Sequence, residues 1–594
     1  MLFADWVGSV VPAELFGSQA QVTVRGISEG GREGQVRMEF SPATRQANIT
    51  KMGQEPLDIV VIGGGITGAG IARDAAMRGL KVALVEKEDF ASGTSSKSAR
   101  MVHGGLRYLE QHQFGLVFTA CAERHTLCET APRLVRPVSF TFPVYRTSKN
   151  SLLKIRMGMW LYDLMAMFHT VQRHKMVDAR QTAELEPALS QQDLLGAAHY
   201  CDCLADDARL TLATIQSAYQ HGALVANYAE VRALLKENGR VTGVEVIDRV
   251  AHQPFTVRAR VTVNATGVWA DQIRHMDDAG ADEMIRVNRG SHLVLPREKL
   301  DIRGAVAFAS ADGHRAMYAI PWRHTCIVGT TDIDHIGDLD PVYATPDEVE
   351  GMLESVNHAF PDARLTHADI ISTFAGLRPL VGGEESVAYQ ASRDHHIVES
   401  EAGLVTISGG KLTTYRRMAE DLVDLVSGKL EATWGVMTRE KCKTDRIPLA
   451  ESGFAAGAVV NDLAGRYPQL ERPVLEHVAF AYGLAGAGLL AALENDPRLG
   501  IKVVPGLPYI WAEVPYAIQH EMAMTLCDWM IRRTHIMHED TAQGLGCAAE
   551  VAAMMAPYLG WDAAEVERQT QHYREQVMLS QRYRWELAGG ELSG

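Results

Sequence analysis

Three glycines and one acid carry the first recognisable chemistry in this chain. Gly63, Gly65 and Gly68 give GxGxxG spacing directly after an apolar run, Leu57 to Ile62, which reads as a strand. The first glycine allows a tight turn. The second lets a pyrophosphate approach the backbone, and the third lets a helix pack on the strand. Ile66 to Arg78 reads as that helix, with its N-terminal N–H groups and dipole facing the phosphates, and Gly79 ends it. Lys81 to Val85 reads as a second strand closed by Glu86. A carboxylate there accepts from both hydroxyls of a ribose and repels a 2′-phosphate. GxGxxG alone is a weak signal. Strand, glycines, helix, strand and terminal acid in register specify a dinucleotide site, because a glycine-rich structural turn would leave Glu86 unexplained.

The next residues choose between dinucleotides. Asp89 to Ser98 form a hydroxyl-rich loop in which Thr94, Ser95 and Ser98 supply donors for a second approach to a pyrophosphate. An NAD domain would continue into another strand–helix unit. The polar, glycine-containing segment found here instead favours FAD, which reaches deeper into its protein.

That segment continues as His103-Gly104-Gly105-Leu106-Arg107-Tyr108-Leu109-Glu110. Together with Gly93-Thr94-Ser95-Ser96-Lys97-Ser98 it closely resembles the FAD-dependent glycerol-3-phosphate dehydrogenases of the aerobic, respiratory type, within the D-amino-acid oxidase-like flavoproteins. The resemblance covers roughly Leu57 to Gln576. Later landmarks are Asn264-Ala265-Thr266-Gly267, Arg289-Gly290-Ser291-His292, Ile327-Val328-Gly329-Thr330-Thr331-Asp332, Ala375-Gly376-Leu377-Arg378-Pro379, Ser392-Arg393-Asp394 and Ser408-Gly409-Gly410-Lys411-Leu412-Thr413. The His103–Glu110 segment is far more specific than GxGxxG.

The resemblance implies oxidation of sn-glycerol 3-phosphate at C2 to dihydroxyacetone phosphate, with hydride passing to flavin N5. A dianion must then be held. Arg107, Arg378 and Arg393 are suited to this by their planar forks, with Lys411 as a point charge and Tyr108 positioning the substrate. His292 is the first choice of general base, with Arg378 polarising the alcohol oxygen. His103 is the second choice, or else orients the flavin. Ala265 and Gly267 would pack beside the nucleotide. Gly410, Lys411 and Thr413 would face the pyrimidine end, where backbone N–H groups stabilise charge built up on reduction. The electron acceptor implied is a membrane quinone, with oxygen as the alternative. Quinone places the protein peripherally on the cytoplasmic face of the inner membrane. The family also suggests a homodimer. An amine or amino-acid oxidase on the same fold is the competing enzyme reading, and a non-catalytic flavin-binding scaffold is the third.

The elements that must position these residues make an α/β protein. It is a Rossmann-like FAD-binding domain with an inserted mixed α+β substrate domain and an all-helical C-terminal cap. The expected division is 1–51 an extension, disordered or not native; 52–140, 201–287 and 401–428 the FAD-binding domain in three segments; 141–200 a substrate or lid segment; 288–400 the substrate domain; and 429–594 the helical cap. Translation starting at Met52 would account for the extension; an accessory N-terminus is the alternative. Ser151 to Phe168 reads as a helix, either core or lid by default, or amphipathic and membrane-facing. Arg532 and Arg533 read by default as a solvated charged face.

Composition agrees with a multi-domain globular chain: 594 residues, 46% hydrophobic and 22% charged. A net charge of −15 argues against nucleic acid, which needs a basic face. The eight cysteines are scattered, as expected of reduced thiols. Cys201 and Cys203 make a CxC, but without a second pair it is a weak metal signal, and no metal is expected. No uninterrupted apolar stretch reaches about 18 residues, so no transmembrane helix is expected.

Overall fold

The computed structural model describes residues 39–167, 172–313, 315–381, 394–449 and 454–589. Arg393 therefore lies outside the described residues, as does the Phe168 end of the helix expected from Ser151.

The first sheet is centred on Leu57–Ile62, buried along its whole length, as befits a parallel strand covered on both faces. Val82–Val85 and Gln253–Asn264 flank it, both parallel. Leu224–Ala226 extends the sheet on one side, and Val405–Gly409 then His395–Glu399 extend it on the other. The helix Ile66–Met77 packs against Asp207–Gln220 and Tyr415–Trp434. The nucleotide unit is thus assembled from separated segments.

The second sheet runs Ile333–Asp334, Ile285–Pro296, Thr325–Gly329, Ala316–Trp322, Ala305–Ala309, Val135–Tyr145, Leu194–Ala205 and Met101–Val102. Ser372–Val381 pairs with Ile285–Pro296 along ten residues and lies against Val405–Gly409 of the first sheet. This strand is where the two sheets meet. Past Trp434 the chain is mainly helical.

These pairings move three expected boundaries. Met101–Val102, placed in the first FAD segment, and Val135–Tyr145, which crosses that segment's expected end at 140, pair with Leu194–Ala205 in the second sheet. The start of the expected second FAD segment at 201 falls inside that same strand. His395–Glu399, assigned to the substrate domain, pairs with Val405–Gly409 in the first sheet. Met101–Val102 and Val135–Tyr145 take their sheet from a distant partner, which their own pattern does not reveal, whereas His395–Glu399 follows its neighbour in the chain into the first sheet.

The expected extension is also corrected over its last residues. Pro42–Met52 is a helix, capped by the Ser41 hydroxyl and with proline in its first turn. Its buried Arg45 binds both oxygens of Asp248 at 2.7 and 3.2 Å, and Phe40 joins the core beneath the nucleotide sheet. Residues 1–38 lie outside the described residues.

Arg532 and Arg533 do not form a solvated face. Both bind Asp89, at 2.5 and 2.7 Å, and Asp89 and Arg533 are buried. The C-terminal domain is thereby fastened to the loop that follows Glu86. Burial leaves each charge stable only because the others are present.

The helix Leu152–Met165 is neither core nor polar-faced. Met159, Tyr162 and Asp163 are buried, while Leu153, Met157, Trp160 and Leu164 are 67, 60, 53 and 58% exposed. Their spacing places them on one outward stripe. One helical run, Arg472–Glu494, has a length and composition that would cross a bilayer, but 67% of its apolar window is buried within the protein.

Candidate flavin and substrate site

An elongated cavity is lined by both sheets, from Glu86 and Val231 at one end to His292, Arg378 and Lys411 at the other. Backbone builds the first end. Gly63 has φ +109°, and a Cβ there would meet the Ala265 carbonyl oxygen at 2.6 Å; at Gly68 it would meet the Gly63 oxygen at 2.0 Å. Side chains are excluded at both positions. Gly65 precedes the helix Ile66–Met77. The Glu86 carboxylate accepts N–H groups from Gly64 at 2.6 Å and Glu88 at 2.9 Å. One bond on each oxygen leaves lone pairs free for hydroxyl donors. Ala265 donates its N–H to Ile62 at 2.9 Å, and Gly267, at φ +61°, opens the turn Gly267–Trp269 on the cavity wall.

The three loop hydroxyls have different partners. Ser95 Oγ accepts the Ile66 N–H at 2.9 Å, so its own proton can point at an anion beside the helix start. Thr94 donates to the Leu377 carbonyl at 2.5 Å, and Ser98 donates to Asp207 at 2.7 Å. These two fasten the loop to the neighbouring strand and helix, which is a different job from the donation to pyrophosphate expected of them.

Gly410 likewise donates its N–H to the Asp394 carbonyl at 3.2 Å, so that donor is engaged within the protein. Its φ of +79° and a would-be Cβ only 2.3 Å from Met418 Sδ still make glycine necessary. Thr413, buried, accepts the His103 N–H at 3.2 Å and ties the two segments together.

Side chains build the other end. Arg378, on Ser372–Val381, donates to Asn288 at 2.6 Å and Thr330 at 2.8 Å, and lies 3.7 Å from Asp332. Its guanidinium crosses Gly290, where a Cβ would sit 2.0 Å from it. Lys411 Nζ lies 4.7 Å from the Tyr108 ring centroid, and the Arg107 guanidinium lies 5.4 Å from the same ring. Burial lowers the Lys411 pKa, and Arg107 adds to the effect. Three of the four expected cations therefore converge, from three separate elements.

His292 is buried and stacked on Phe374 at 4.6 Å between ring centroids. Neither ring nitrogen has a hydrogen-bond partner among the described residues. Burial, then Arg378 and Arg100, push its pKa down to about 3. His103 is likewise held well below its usual range, by burial and then by Lys411, Arg107 and Arg124. Both imidazoles are neutral at pH 7.

Some residues that matter here were not singled out from the sequence. Asp202 accepts the Gly104 N–H at 3.3 Å and the Tyr162 hydroxyl at 3.0 Å, and pairs with buried Arg124. It anchors the loop that carries His103 and Arg107. The acid in Cys-Asp-Cys was the readable signal, not the thiols. Among the described residues no group of three His, Cys, Asp or Glu is placed to hold a metal. Lys97 also lines the cavity, a cation inside the hydroxyl-rich loop whose pKa is lowered first by burial.

The geometry fits FAD by its close-approach glycines at both ends, its ribose-directed acid and its buried, unpartnered imidazole. The FAD dependent oxidoreductase family matches residues 58–416. The C-terminal domain of alpha-glycerophosphate oxidase matches residues 442–566. Glycerol-3-phosphate dehydrogenase 2 of Mycobacterium tuberculosis is 39% identical over 548 residues, covering 92% of both chains. The aerobic glycerol-3-phosphate dehydrogenase of Staphylococcus aureus is 34% identical, over 92% of this chain and 98% of that one. Among solved structures, the glycerol-3-phosphate dehydrogenase from Bacillus halodurans complexed with FAD is 30% identical, with a TM-score of 0.76 over 91% of this chain and 98% of that one.

Proposed function

The chain belongs to the family of FAD-dependent glycerol-3-phosphate dehydrogenases, and we propose from that premise that it oxidises sn-glycerol 3-phosphate at C2 to dihydroxyacetone phosphate. The observation that carries this reading is the convergence of Arg107, Arg378 and Lys411 on the end of the cavity away from Glu86. Cations collected in an acidic chain suit a phosphate dianion better than the carboxylate and neutral amine of an amino acid.

FAD, when bound, would supply the two-electron acceptor for the hydride, and a quinone is the oxidant proposed to regenerate it. The protein's own part is binding, orientation and proton handling. Arg107 and Lys411 hold the phosphate, each within 5.4 Å of the Tyr108 ring centroid. Arg378 is fixed by Asn288 and Thr330, so it can polarise the C2 hydroxyl without reorganising. His292 takes the hydroxyl proton at a ring nitrogen. Its depressed pKa keeps it ready to accept at pH 7, and an arriving dianion offsets the cationic field that makes protonation costly. Replacing His292 with alanine is expected to slow flavin reduction by about 100- to 10,000-fold with FAD retained. Wild-type-like reduction in stopped flow would remove His292 from the role.

Quinone as acceptor requires contact with a membrane, and the outward stripe of Leu152–Met165 supports that reading. Phe114 and Phe118, on the neighbouring helix, are also exposed, and exposed Lys149, Lys154, Arg156, Arg173 and Lys175 surround the region. Apolar side chains with flanking cations match an anionic bilayer surface. Peripheral attachment on the cytoplasmic face follows from this proposal.

Anaerobic titration tests the function: glycerol 3-phosphate should bleach the bound flavin and amino acids should not. Bleaching by an amino acid alone would select the oxidase reading, and no bleaching by either would select a scaffold. Reoxidation much faster by a quinone analogue than by oxygen is expected; the reverse order would assign an oxygen-using oxidase.

A further inference from the structure

Four of the eight cysteines lie around the loop that carries His103 and Arg107, and two of them are in contact. Cys128 Sγ, on the helix Phe114–Thr130, lies 3.2 Å from Cys203 Sγ, on the strand Leu194–Ala205. Cys203 is buried and Cys128 is half-buried. The pair therefore has one member that a small oxidant can reach and one held fixed behind it. Cys121 and Cys201, the two nearby thiols, are both buried.

The strand position makes the pair consequential. Cys203 is paired on one side with Val102, the residue before His103, and on the other with Pro137. Its neighbour Asp202 accepts the Gly104 N–H. The helix carrying Cys128 also carries Arg124, the cation bound to Asp202, and packs against Leu412–Thr414 beside Lys411. A covalent link between helix and strand would act at the anchor of the substrate loop.

We propose that Cys128 and Cys203 are a reversible redox pair, oxidised to a disulfide by a hydroperoxide, that restrains the loop carrying His103 and Arg107. The Cys128 thiolate attacks the peroxide O–O bond, giving a sulfenic acid and releasing water or an alcohol. The Cys203 sulfur then attacks the oxidised sulfur, its proton leaving with the hydroxyl as water. Two thiols lose two electrons, and one peroxide gains them. A dithiol reverses the step by exchange.

The chemistry of the four thiols sorts them. The hydrogen bond shared with Cys203 lowers the Cys128 pKa, and Arg124 assists. Burial instead pushes Cys121 up to about 11 and Cys201 up to about 12. Thiolate is the reactive form, and Cys128 is the half-buried member of the pair while Cys203 is buried, so Cys128 is the first to meet an oxidant. A disulfide brings sulfurs to about 2.05 Å, so the two sulfurs must close by roughly 1 Å, and the bond then ties the helix to the strand. A shift of about 1 Å passed on to the loop beside a reacting site would cost on the order of 100-fold in rate.

The test treats the FAD-loaded wild-type protein with hydrogen peroxide, blocks free thiols and maps peptides by mass spectrometry. A linked Cys128–Cys203 peptide is expected, lighter by two hydrogens and removed by dithiothreitol. Turnover with glycerol 3-phosphate should fall about 10- to 100-fold in the oxidised form and return on reduction. C128S and C203S should each keep basal turnover and lose the response. Oxidation of Cys128 without the linked peptide, or linkage to another cysteine, would overturn the pair. A linked but fully active enzyme would overturn the restraint. The link is read independently of the proposed substrate. Only the turnover arm rests on that reading, so failure of one is distinguishable from failure of the other.

Discussion

The two ends of the cavity are made of different material. At the Glu86 end, backbone close to one stretch of chain does the binding, and glycines at 63 and 68 are fixed by contacts of 2.6 and 2.0 Å that any Cβ would make. At the Arg378 end, side chains from three elements converge, and each is held by polar partners from elsewhere. The first end tolerates almost no change of residue, yet fixes only that a dinucleotide binds. The second also excludes a side chain at Gly290 and Gly410, but on the proposed reading its cations select the substrate. The comparison predicts that mutations at the first end remove the cofactor, while those at the second leave the cofactor and remove specificity.

Three changes would break or sharpen that contrast. Gly68→Ala should have the largest effect. With the Gly63 oxygen 2.0 Å from the new carbon, the turn must open, and the protein should purify without flavin absorbance. Asp89→Asn comes next, since it removes the carboxylate that buried Arg533 and nearly buried Arg532 share, leaving Arg532 only Asp528 at 2.8 Å. Denaturant unfolding should show a loss of about 3–5 kcal/mol, accompanied by weaker FAD retention because this loop follows Glu86. Unchanged stability would mean the C-terminal domain is not fastened there. Glu86→Gln should have the smallest effect, weakening FAD by about 10- to 100-fold, the value of a charge-assisted hydrogen bond. Flavin reduction in the loaded variant should stay unchanged. A changed preference among substrates in Glu86→Gln would contradict the division of labour.

The same contrast explains what was legible in the sequence. The turn at Gly63–Gly68 and the acid at Glu86 are local, so spacing alone revealed them. Arg378 and Lys411 were found through motifs, but their convergence depends on Ser372–Val381 joining Ile285–Pro296 and lying against the first sheet. No local pattern reports such pairing. The domain border misplaced at Val135–Tyr145 failed for the same reason. Arg45 and Arg533 look like surface charge until Asp248 and Asp89 are brought to them from distant segments. The helix Pro42–Met52 was missed because much of its buried face is polar, with Thr44, Arg45 and Asn48 inward, so no apolar period marks it. The outward apolar stripe of Leu152–Met165 carried the opposite ambiguity. Its period was plain, but sequence could not say which face was buried.

The central claim is that the Arg378 end recognises a phosphate. Flavin reduction rates with glycerol 3-phosphate and with glycerol, compared between wild type and Arg107→Gln, test it most directly. The account predicts that the variant keeps FAD, loses on the order of 100-fold with glycerol 3-phosphate, as for a removed transition-state donor, and is unchanged with glycerol. An equal loss on both substrates, or an unchanged ratio, would contradict it.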